Sequence, residues 1–91
     1  MHTEVGIRGE IRRFALEDLA RRKGITDFAD DELLVPGVVD SLGIFRLVSF
    51  FEEHFRIRIA DEEITAENFQ SIAVMERFVA SHMKKPGPSD V

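Results

Sequence analysis

The segment from Ser41 to Phe55 is apolar on too many sides to lie on a surface. Leu42, Ile44, Phe45, Leu47, Val48, Phe50, Phe51 and Phe55 fall within fifteen residues. Placed at about 100° steps around a helix axis, Ile44, Leu47, Val48, Phe51 and Phe55 share one broad face. Leu42, Phe45, Arg46, Ser49 and Glu53 share another, and Phe50 points away from both. A helix of this kind packs against more than one neighbour, so it is read as the central element of the fold.

Two further segments have helical spacing. From Val5 to Lys23, Ile7, Ile11, Phe14, Ala15 and Leu19 recur at three- and four-residue steps. Gly24 follows the basic last turn Arg21-Arg22-Lys23, which suits a left-handed helix end and the negative pole of the dipole. Near the other end, Ser71 can cap a helix whose inward stripe is Ile72, Met75 and Val79, with Met83 a further candidate. Thr65 can cap a short turn before it. Phe55 to Ile59 alternates apolar and basic residues, but no second strand is available to pair with it. An extended connector is therefore expected, with Ile57 and Ile59 turned inward.

Residues 24–40 have no sustained period and carry Asp27, Asp30, Asp31, Pro36 and Gly37, all turn or breaker types. Leu33, Leu34 and Val35 are too apolar for a free loop, so some of them should anchor it. The fold expected is all-α: a four-helix bundle of three longer helices and one short one, with the long loop between the first two. Residues 1–83 form one domain in this reading, and 84–91, with Pro86-Gly87-Pro88, a flexible tail.

Composition narrows the function. The 91 residues carry a net charge of −5, which argues against nucleic acid as a partner. No apolar run is long enough to span a bilayer, and the first residues lack the pattern of a secretory signal, so a cytoplasmic protein is expected. There is no cysteine, so any thiol chemistry would need a prosthetic group. Charge is uneven along the chain. Residues 1–25 hold six basic and four acidic side chains, whereas Asp27, Asp30, Asp31, Glu32 and Asp40 stand in 26–40 without a basic residue. That acidic stretch is either a solvated loop or an electrostatic guide for basic partner enzymes.

Catalytic and metal-binding patterns are thin. His2, His54 and His82 are isolated from one another and expected to be surface or packing residues, with no metal site. Asp61, Glu62 and Glu63 sit in a connector with nothing to desolvate them. No catalytic residue is assigned. What remains is Asp40-Ser41-Leu42-Gly43. A serine in the first turn of a helix is exposed, beside unpaired N–H groups and the positive end of the dipole, where an anion on its hydroxyl is stabilised. Either Asp40 or Ser41 can serve as the ordinary cap. Gly43 costs about 1 kcal/mol of helix propensity, which suggests close approach by an arm or a partner.

The stretch GVVDSLGIFRLVSFFEEHFRIRIADEEITAENFQSI resembles the carrier-protein family of acyl, peptidyl and D-alanyl carriers. Its points of likeness are Gly37, Asp40-Ser41-Leu42-Gly43, Leu47-Val48, Phe51-Glu52-Glu53, Phe55, Asp61-Glu62-Glu63-Ile64, Glu67-Asn68-Phe69 and Ser71-Ile72. They lie within residues 33–79, about half the chain. The resemblance implies that Ser41 accepts 4'-phosphopantetheine from coenzyme A through a phosphopantetheinyl transferase. The arm's thiol would then tether acyl or aminoacyl cargo as a thioester, between a loading ligase and a downstream transferase or synthase. Asp40, Leu42 and Gly43 would surround the attachment point. Leu42, Phe45, Arg46, Ser49, Glu52 and Glu53 would meet partner enzymes, unless Phe45 belongs to the core. Gly43 and Arg46 replace the acidic residues usual in fatty-acid carriers. The Asp-Ser-x-Gly form is more similar to D-alanyl carriers and to carriers of specialised pathways. The chain would be a monomer and not an enzyme. An unmodified helical interaction module that binds through the second helix is the alternative, and a hydrolase using Ser41 would lack a positioned base.

Overall fold

The computed structural model describes residues 6–84. It is all-α, with three helices and no strand among the described residues. Helix α1 (Gly6–Phe14) continues through a π-helical segment (Ala15–Ala20) and a 3-10 turn (Arg21–Lys23) to Gly24, whose φ of 75° ends it in the left-handed region. A loop leads to α2 (Ser41–Phe55), which stops at Arg56 in left-handed geometry. Two 3-10 turns follow, Asp61–Glu63 and Ala66–Phe69, and α3 (Ile72–Lys84) closes the described chain. The short fourth helix expected from sequence is only the second of these turns. Lys84, expected to open the tail, ends α3, and the rest of the expected tail lies outside the described residues.

The π-helical segment has a reason in the spacing of the inward residues. Ile7, Ile11, Ala15 and Leu19 follow one another at steps of four. On an ideal α-helix each such step drifts by about 40°, because 3.6 residues make a turn. Widening the turn after Phe14 reverses that drift, and Ile11, Ala15, Leu19 and Ala20 are all buried. Bonds such as Arg21 N–H to the Leu16 carbonyl carry the wider turn.

The core joins these residues to Phe28, Leu34, Val38, Val39, Leu47, Phe51, Phe69, Ile72, Met75 and Val79. Helix α1 packs along α3, whereas α2 meets its neighbours through aromatic rings. Phe51 stacks on Phe69 at 5.8 Å, and Phe50 stacks on Phe14 at 4.3 Å. Phe50 thus has the second neighbour that its position on the helical wheel requires. Ile59 is buried as expected for the connector, and Thr65 and Ser71 cap the elements assigned to them. Met83 is not part of the inward stripe. It is 49% exposed, four residues beyond the last buried position of α3.

The long loop is held by backbone bonds and by the cations of α1. Leu34 N–H donates to the Gln70 carbonyl and Ala73 N–H to that of Asp30. Arg12 donates to Asp30 at 2.7 Å, to Asp27 at 2.6 Å and to the Phe28 carbonyl, with its guanidinium 5.1 Å from the Phe28 ring centre. Arg8 bridges Asp30 and Glu76 of α3. Glu32 accepts Ala29 N–H. Four of the five acids in this stretch, including Asp40 described below, are therefore occupied within the protein. A bond from a backbone amide leaves the Glu32 charge in place, and Asp31 is exposed with no partner among the described residues, so part of the acidic stretch still faces solvent.

Removing the Arg12 fork leaves a half-buried carbonyl and two carboxylates short of a donor. Arg12→Ala is expected to lower the unfolding free energy by about 2 kcal/mol in a urea titration. A change below about 0.5 kcal/mol, the size typical of a neutral surface substitution, would show that the loop is held by its apolar anchors alone.

Candidate functional site

Helix α2 starts where Asp40 makes it start. Asp40 is extended (φ −97°, ψ −172°) and its Oδ1 accepts Gly43 N–H at 2.8 Å, the geometry of an N-cap. Its carbonyl accepts the first helical bond, from Ile44 N–H. The second carboxylate oxygen receives Lys23 Nζ at 2.9 Å, so the end of α1 is pinned to the start of α2. The Gly43 amide first, and Lys23 second, hold the Asp40 carboxyl below its ordinary value of 3.8.

With the cap supplied by Asp40, Ser41 is left at the first helical position. It is exposed, and its hydroxyl makes no hydrogen bond within the described chain. The choice between Asp40 and Ser41 as cap is thereby resolved. Unengaged N–H groups of a helical first turn lie next to the free hydroxyl, at the positive end of a helix fifteen residues long.

Gly43 has a different reason from the one expected. It is buried, and a β-carbon there would lie 3.3 Å from Asp40 Oδ1 and 3.6 Å from both Leu19 Cδ2 and Val39 Cγ1. The close approach is internal: Leu19 of the widened α1 turn and the capping carboxylate occupy the space. Gly43 is thus needed for packing beneath the first turn of α2.

The outer face of α2 carries Leu42 and Phe45, 65% and 58% exposed. Phe45 is therefore not core. Together with Phe14, Asp18, Arg46, Ser49, Phe50 and Glu53 it lines an open groove of about 420 Å³. A smaller cleft of about 90 Å³ adjoins it through Arg46, with Leu42, Val38, Arg22 and the Lys23–Asp40 pair around it. Glu52 departs from this face. Its Oε2 accepts Ile59 N–H at 2.9 Å and ties the connector to α2, so it is an internal brace and not a free contact residue.

The two described histidines pack against aromatic rings. His54 stacks on Phe50 and faces Glu10 at 3.3 Å. His82 lies between the Phe78 carbonyl and Glu63, each 3.0 Å away, and Glu63 also accepts Ala60 N–H. His2 lies outside the described residues. Among the described residues no cluster of three or more His, Cys, Asp or Glu could hold a metal ion, and no helix is long and apolar enough to cross a membrane. Sequence reasoning missed the roles of Glu52 and Leu19. The only signal for them was the apolar Ile59 seven residues after Glu52, and the four-residue run of α1. Comparison with protein-family models, with curated proteins and with solved structures found no match.

Because folding lowers the pKa of Asp40, its capping contribution is complete above the unfolded carboxyl range and is lost as pH falls through the folded value. Asp40→Ala is expected to lower Tm at pH 7, with the gap from wild type narrowing as pH falls below about 4. A gap of constant size across that range, followed by circular dichroism, would mean that the carboxylate charge plays no part.

Proposed function

We propose that the chain is a freestanding carrier protein whose Ser41 bears 4'-phosphopantetheine. One observation carries this reading: an exposed, unbonded serine hydroxyl at the positive end of the central helix, left free because Asp40 performs the capping. A serine kept for structure at that position would more often be the cap itself. The resemblance around Asp40-Ser41-Leu42-Gly43 supports the same reading from sequence.

The residues present fit the group. Ser41 offers a solvent-facing oxygen for a phosphodiester, and the first turn of α2 offers amides and dipole for its charge. When attached, the group supplies the thiol that the cysteine-free chain lacks, for holding acyl or aminoacyl cargo. The chain's own part is to hold Ser41 outward, to fix the start of α2 against the end of α1 through the Lys23–Asp40 pair, and to offer Leu42 and Phe45 to partners. In this reading the three helices and the Ala66–Phe69 turn form a carrier-type bundle. The protein is a monomeric cytoplasmic shuttle between a loading ligase and a transferase or synthase, and not an enzyme. The Ser-Leu-Gly step after Asp40 favours a specialised pathway over bulk fatty-acid synthesis.

A second reading has its own support in the exposed pair Leu42 and Phe45: an unmodified module that binds a partner through α2. The two part on covalent chemistry. Incubation with coenzyme A and a promiscuous phosphopantetheinyl transferase should add one phosphopantetheinyl group by intact mass, and Ser41→Ala should abolish the gain. An unchanged mass, under conditions that modify a control carrier, would favour the unmodified module. Phe45→Ala should slow modification or cargo loading while changing the unfolding free energy by less than about 0.5 kcal/mol, as expected for an exposed side chain. A larger loss of stability would show that Phe45 supports the fold.

A further inference from the structure

Both ring nitrogens of His82 face oxygen. Nδ1 lies 3.0 Å from the Phe78 carbonyl and Nε2 lies 3.0 Å from Glu63 Oε1. A carbonyl and an ionised carboxylate only accept hydrogen bonds, and a neutral imidazole has a single N–H to give. In that state one nitrogen lone pair would be set against an oxygen lone pair. Both contacts are made when the site holds one proton more, with an N–H on each ring nitrogen or a proton kept on the carboxyl. The site is sheltered, since the His82 side chain is only 9% exposed and its ring packs on Phe78 at 4.6 Å. Glu63 Oε1 also accepts the Ala60 amide, so the last turn of α3, the Asp61–Glu63 turn and the connector before it meet at one oxygen. Other charged groups on the surrounding elements are engaged elsewhere or face water. Glu76 is bound by Arg8 and Glu52 accepts the Ile59 amide, whereas Asp61, Glu62, Glu67 and Arg77 are exposed.

We propose that His82 and Glu63 form a proton-operated latch that ties the end of α3 to the connector after α2. With the proton bound, the Nε2 contact is a charge-assisted hydrogen bond, and its burial limits screening by salt. Loss of the proton leaves that contact unmade and releases the Asp61–Glu63 turn from the helix. The closed latch holds a proton that an unfolded chain gives up in the ordinary histidine range. Its stabilisation is therefore present in mild acid and lost as pH rises. Asp40 behaves in the opposite sense, losing its contribution in acid. His54 is a natural contrast: it faces Glu10 at 3.3 Å with a side chain 41% exposed, where an ion pair is worth little. The latch does not depend on what Ser41 carries, so it stands apart from the carrier reading.

The test follows Tm of the full-length protein and of His82→Gln by circular dichroism between about pH 5 and pH 8. Wild type should exceed the variant in mild acid, with the gap falling by about 5 °C toward the upper end. Repeating the comparison with His54→Gln in both proteins should leave that fall in place. Repeating it with Glu63→Gln in both, which keeps an acceptor for the Ala60 amide and removes the charge, should abolish it. A gap that is constant or widens with pH would overturn the proposal, and so would a fall that disappears with His54→Gln. A measurement on wild type alone covers the case in which His82→Gln does not fold. The Ala60 amide proton shares Oε1 with the ring, so its resonance should move as the His82 ring titrates. An Ala60 resonance that stays fixed while the ring titrates would overturn the latch.

Discussion

One carboxylate organises the junction between the end of α1 and the start of α2. Asp40 takes the Gly43 amide with one oxygen and Lys23 with the other, which fixes where α2 begins and how α1 meets it. Because Asp40 provides the acceptor that a helical first turn lacks, Ser41 is relieved of that task. Gly43 completes the arrangement from beneath, since only a bare α-carbon lets Leu19, Val39 and the capping oxygen come so near. Exposure of the serine is thus a consequence of how its neighbours on either side are used.

The rest of the chain supports that end by using up its charges internally. Arg8 and Arg12 bind the loop acids and connect α1 to α3, and Glu52 and Glu63 bind amides of the connector. Single exposed ion pairs are worth little. A shared fork such as Arg12, partly buried and with a carbonyl among its acceptors, is worth more. After this internal pairing, Arg22 and Arg46 beside the small cleft and Asp18 and Glu53 in the adjoining groove are left without ion pairs among the described residues.

Much of the architecture was legible because periodicity and caps agreed. The bounds of α2, the Thr65 and Ser71 caps, the left-handed end at Gly24 and the inward Ile59 follow from residue type and spacing alone. Phe45 stood on the outer face of the helical wheel, and there it lies. What sequence could not decide was which of two candidates takes a shared donor. Asp40 and Ser41 could each cap α2, and the acids of the loop could face water or arginine. The π-helical segment was written in the run of four-residue steps through Ile7, Ile11, Ala15 and Leu19, but spacing within each step looked ordinary. Gly43 was recognised as costly for a reason. The reason proved to be a long-range contact with Leu19, which no local pattern encodes.

The division of labour between Asp40 and Ser41 is open to a direct stability measurement. In urea unfolding of the unmodified protein, Ser41→Ala should change the unfolding free energy by less than about 0.5 kcal/mol, because the hydroxyl has no structural partner to lose. A loss of about 1 kcal/mol or more, the size typical of a removed cap, would show that Ser41 is engaged in holding the helix and is not free for attachment.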